Sequence, residues 1–234
     1  MSKIIIGPQS GLKWIPLSTS EIPCPDTKAT VHAVRKWVEE YLTAPSSDLG
    51  RDGPVCPYSG PSMRKDLMWV GRIPGAKPWP DFVRLVVDDA LNALLTLEPV
   101  EGNASLLRVL MTTLPDLRDY DLIDELHAEL KTKFVERGAM LGQFYPGCGQ
   151  PGLWNDNFHP LDAPIPMLVV RTMMTSDFPF LVGRPEWMSA YIKKFAPTLP
   201  AHIRREVVGR LTVDATHDAQ IASEPMPAGR HTFG

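Results

Sequence analysis

Residues 106–145 read LLRVLMTTLPDLRDYDLIDELHAELKTKFVERGAMLGQFY. Leu106–Met111 is an apolar run of strand length. Tyr120–Arg137 places Tyr120, Ile123, His127, Leu130 and Phe134 at spacings of three and four, the signature of an amphipathic helix, and Gly138 stops it. Ala139–Tyr145 is again strand-like. Strand, helix and strand in such quick succession call for a sheet with helices laid on it.

The same alternation continues outward. Upstream, Leu67–Ile73 reads as a strand ending at Pro74, and Asp81–Leu97 as an apolar-striped helix with Pro80 near its start. Ala29–Leu42 is a further helix, with Val31, Val34, Val38 and Leu42 at helical spacing and Trp37 and Tyr41 beside them; Thr27 or Thr30 can cap it. Downstream, Ile165–Met174 reads as a strand and Pro185–Phe195 and Ala201–Arg210 as helices. The expected fold is therefore α/β (α+β): a single mixed sheet within residues 65–175, covered by helices at 81–97 and 119–137. Residues 1–28, broken by Pro8, Pro16, Pro23 and Pro25, form an extended N-terminal arm, 29–212 one domain, and 213–234, without apolar periodicity, a loose C-terminal tail.

Composition narrows the class. The chain has 234 residues, 44% hydrophobic and 22% charged, which suits one globular core. A net charge of -3 argues against a nucleic-acid partner. No apolar run approaches the ~18 residues of a membrane span, and the three isoleucines before Gly7-Pro8 are too short for a signal peptide, so a cytoplasmic location away from membranes is expected. Cys24, Cys56 and Cys148 are odd in number and widely spaced, which indicates neither a zinc knuckle nor a redox pair. No dinucleotide, P-loop, zinc-protease or nucleophile-elbow motif occurs. The adjacent Asp88 and Asp89 read as a solvated pair, and Asp116, Asp119, Asp121 and Asp124 as acids suited to a helix N-terminus.

Two loops carry the groups with chemical potential. One, Thr43–Pro61, is rich in Gly and Pro around GPVCPYSGP, where Cys56 precedes Pro57 and Tyr58. The other opens YPGCGQPGLWNDNFHPLDAPIP at Tyr145 and presents Trp154, Asn157 and His159, with Pro160 stiffening the backbone beside the imidazole. Both border predicted strands, so they are expected to meet in a ligand crevice. His127, within a helical apolar stripe, is either a hydrogen-bonded core residue or a ligand. Cys56 is either a small buried hydrophobe or a soft ligand to iron.

The pieces Cys56-Pro57-Tyr58, Phe158-His159-Pro160 and a strand ending in Arg171 are similar to the YqcI/YcgG family of haem-binding proteins, whose characterised members are haem-dependent N-oxygenases. Closer still is an uncharacterised bacterial and fungal domain family sharing GPVCP and HPL motifs. The resemblance spans about residues 50–195, and the His-Pro motif here reads HPLDAPIPMLVVR instead of the haem family's shorter His-Pro-Ala-Arg. It implies a haem iron cofactor, a nitrogen-containing small-molecule substrate in a biosynthetic pathway, and dioxygen or peroxide as oxidant. His159 is then the expected axial metal ligand, Cys56, Tyr58 and His127 further cofactor-binding candidates, and Arg171, Trp154 and Asn157 the catalytic candidates on the open side. The alternative is a non-catalytic accessory protein that binds haem or another small molecule. A homodimer is left open by either.

Overall fold

The structure, a computed structural model, describes residues 3–196, 201–203 and 205. Six strands form one mixed sheet in the order β1-β2-β3-β4-β6-β5: β1 Ile5–Ile6, β2 Lys13–Pro16, β3 Met68–Arg72, β4 Val109–Thr113, β5 Ala139–Phe144 and β6 Met167–Thr172. Only β3 and β4 run parallel; β6 lies antiparallel between β4 and β5, pairing Val109 with Arg171 on one side and Phe144 with Met167 on the other. The expected sheet is therefore present, and the proline-rich arm adds to it. β1 and β2 form a hairpin, β2 pairs antiparallel with β3, and β1 does not extend opposite Pro16, which leaves that proline on an edge.

Helices α3 (Pro80–Thr96) and α4 (Asp121–Glu136) cover one face. Val83, Val86, Leu91, Ile123, Leu126 and Phe134 pack there on Trp69, Leu110, Leu141, Leu168 and Val170. On the other face, α1 (Pro25–Trp37) sets Val31, Val34 and Trp37 on Met68, Val70, Met111 and Met167. A short helix α2 (Ser59–Arg64) leads into β3, and α5 (Pro185–Phe195) closes against Val135 and Met140 through Met188, Tyr191 and Phe195. Gly71 in β3 permits the join between hairpin and sheet, since a Cβ there would lie 2.8 Å from the Trp14 ring. Trp14 is fully buried and its indole N–H donates to Thr112 Oγ1.

Several elements depart from expectation for local reasons. α1 begins at Pro25, which fits the first helical turn because its missing N–H is not needed there. Neither Thr27 nor Thr30 caps it; Cys24 holds the cap position, and the Thr30 hydroxyl donates back to Asp26 O. β4 starts three residues late, because Asn103–Leu107 forms a 3-10 turn closed by the buried Arg108, whose guanidinium donates to Ser105 O and Leu97 O. Asp89 is not a solvated residue. It is fully buried, and one carboxylate oxygen accepts from Gln9 N, Ser10 N and Ser10 Oγ, fastening the β1–β2 turn to α3, while Asp88 pairs with Lys133 at the surface. The helix expected at 201–210 falls mostly, and the 213–234 tail wholly, outside the described residues. Among the described residues no helix is long and apolar enough to cross a membrane.

Candidate functional site

α1 does not end as an ordinary helix. It widens into a π turn over Val38–Leu42, a distortion that recurs at functional sites. Trp37 and Tyr41, one turn apart, stack at 6.2 Å between centroids and 21° between planes. The Phe144 ring braces Trp37 edge-on at 5.6 Å, and Phe158 continues the aromatic row at 6.5 Å from Tyr41. The long connection from β5 to β6 folds against this row and completes a cleft of about 550 Å³. Its walls are Trp37, Tyr41, Pro146, Phe158, His159, Asp162, Ala163 and Pro164. That volume lies inside the ~300–1,000 Å³ of small-molecule sites.

The loop is pinned by its own polar groups. Gly152 N donates to Phe158 O, Phe158 N to Asn155 O, Asn157 N to Asn155 Oδ1 and Asp162 N to His159 O. Tyr41 reaches His159 O with its hydroxyl at 3.4 Å, and Gly147 N donates to Asp162 Oδ1 at 2.9 Å. Burial, then the Asp162 carboxylate, raises the Tyr41 pKa, so this hydroxyl stays neutral. Among the described residues the His159 imidazole makes no hydrogen bond, and the indole N–H of Trp37, a residue only 8% exposed, has no partner.

The two loops do meet, though beside the cleft. Asn155 Nδ2 donates to Asp48 O, and a Cβ on Gly50 would lie 2.9 Å from Trp154 Cβ. Trp154 itself is 68% exposed, and Asn157 faces solvent. Neither Cys56, Tyr58, His127 nor Arg171 is among the walls of the cleft.

Arg171, Cys56 and Tyr58 gather elsewhere. Arg171 closes β6 at the end away from the loop and holds the buried Asp177 with two hydrogen bonds of 2.6 and 2.7 Å. Burial alone would lower its pKa; Asp177 more than offsets this, Cys56 and Tyr58 act in the same direction, and the guanidinium stays charged. Tyr58 Oη and Ser176 Oγ share a hydrogen bond at 2.9 Å, and Cys56 N donates to Leu42 O. A bidentate pair of this kind locks the turn Thr175–Phe180 to the sheet.

His127 lies on the α4 side of the sheet, with Nε2 3.1 Å from Leu141 O. Burial, then the Lys131 charge, lowers its pKa to about 4, so it is a neutral donor to that carbonyl. Nearby, Asp124 accepts from Gln143 Nε2 and from the Tyr145 hydroxyl, both at 2.8 Å, which is more than a helix-dipole role. Tyr145 has its pKa raised by burial, then by Asp124 and by Cys148. Among the described residues no three His, Cys, Asp or Glu side chains gather as a metal cage.

Trp37 and Tyr41 are the site residues that sequence reading passes over, because aromatics next to an apolar stripe look like core. The signal is their pairing at i and i+4 where the helix ends.

Residues 31–206 match the model of the family described as Domain of unknown function (DUF6875). The match covers well over half of the chain, which therefore belongs to this family. No curated protein and no solved structure matches it.

Proposed function

We propose that this DUF6875 member binds a small organic molecule in the cleft between α1 and the Pro146–Pro164 loop, with His159 as the group that meets it. One observation carries the reading. An open cleft lined by an aromatic row presents the exposed His159 imidazole, which makes no hydrogen bond among the described residues. The Tyr41 hydroxyl donates to His159 O and so holds that residue against the wall.

Haem is the second reading, favoured by the free His159 ring beside a row of stacked aromatics. The residues present suit the group: His159 would hold the iron, and Trp37, Tyr41 and Phe158 would help to bind the apolar ring. A haem so held supplies oxygen or electron-transfer chemistry, of the kind an oxygenase of nitrogen-containing molecules uses. Arg171 is engaged by Asp177 outside the cleft, so it offers no donor there. Cys56 and Tyr58 stand with Arg171 and serve that ion pair.

Reconstitution with haemin separates the two. A Soret band that survives gel filtration in the wild type and disappears in His159→Ala supports the haem reading. Retention of an unchanged band in His159→Ala removes His159 as the ligand. No band in either protein leaves an organic ligand, for which His159→Ala is expected to weaken binding about tenfold, read by calorimetry.

A further inference from the structure

We propose that the molecule the cleft takes is a small organic cation, an amine or quaternary ammonium. This rests on the reading of the cleft as a binding site and goes on to name the chemistry of its ligand. Trp37 and Tyr41 stack at 21° between planes, Phe158 lies tilted at 31° beyond Tyr41, and all three line the cleft. Aromatic faces attract cations, most strongly where water is partly excluded. Asp162 stands at the same cleft. One of its carboxylate oxygens accepts from Gly147 N, while the other makes no hydrogen bond among the described residues and is open to a ligand.

Charge decides the sign. No lysine or arginine is among the walls, so the cleft has nothing with which to hold a carboxylate or phosphate, and Asp162 would oppose one. Burial, then the Asp162 carboxylate, raises the Tyr41 pKa, so Tyr41 remains a neutral ring whose hydroxyl donates to His159 O. Choline is a small cation of this class, and 3,3-dimethylbutan-1-ol is its neutral counterpart of the same shape.

The test uses the full-length protein and follows the Trp37 indole N–H signal by nitrogen-15 NMR, assigned by its loss in Trp37→Phe, with affinities from calorimetry. Choline is expected to move this signal to saturation, and the neutral alcohol to bind at least about tenfold more weakly. Asp162→Asn, a change at an exposed residue, is expected to weaken choline about threefold and leave the alcohol unchanged. Equal binding of choline and the alcohol, or no effect of Asp162→Asn on choline, overturns the proposal. Benzoate or haemin moving the signal where choline does not would leave the cleft a binding site and discard the cationic ligand. If none of the four compounds moves it, the binding reading falls as well.

Discussion

The His127 imidazole is held neutral in an apolar stripe by a single carbonyl, and this has a measurable cost in acid. Its folded pKa of about 4 lies below the ordinary value of 6.5. Between these values the unfolded chain takes up a proton that the folded one refuses, so stability falls as pH drops from 6.5 to about 4 and changes no further below that. The full loss is about 3 kcal/mol. His127→Gln keeps a donor for Leu141 O and removes the titration. The difference in urea unfolding free energy between wild type and variant should therefore shift across this window, and a histidine ring titrating near 6.5 by NMR would contradict it. Arg171 shows the reverse arrangement: its charge is kept, and the energy of keeping it is recovered from Asp177. Asp177 is buried while Arg171 is half-buried, so loss of Arg171 leaves a buried carboxylate without its partner, and a variant there tests the fold before it tests any chemistry.

Elements with a strong helical period were legible: α3, α4 and α5 start and stop within about two residues of where their apolar stripes and terminal Gly or Pro place them. β4 was not, because its register is set by Arg108 turning back to cap a 3-10 turn and by Thr112 and Thr113, polar residues buried through bonds to Trp14 and Gly71 O. Strand order was illegible too, since apolar runs do not state their neighbours. The loop bearing His159 could be picked out from its composition. Its partner wall, Trp37 and Tyr41, could not, because the widening of α1 into a π turn leaves no mark that spacing reveals. That wall depends on β5. A Cβ on Gly142 would lie 2.9 Å from Phe144 Cε2, and Phe144 braces Trp37. Gly142→Ala is expected to push the Phe144 ring aside, cost about 1–3 kcal/mol and shift the Trp37 indole resonance. An unshifted resonance would show that the wall stands without its brace.

For the whole molecule, the family match begins at residue 31, yet β1 and β2 lie before it and complete the sheet. They cover the outer edge of β3 and bring in Trp14, a buried residue bonded to the neighbouring strand β4 through Thr112. Removal of residues 1–22 should cost at least about 3 kcal/mol and expose an edge strand prone to self-pairing. Size-exclusion chromatography and urea unfolding check this; a monomer of unchanged midpoint would show the hairpin to be dispensable. The placement of β6 carries a consequence of another kind. β4 and β5 never touch as strands, so when the chain is made from its N-terminus they wait as two unjoined halves until residue 172 has left the ribosome and the sixth strand slides between them. Everything that shapes the ligand cleft from the loop side is drawn into place by that last insertion, so the cleft is assembled at the end of folding, and a molecule that fills it would act on the final closing step.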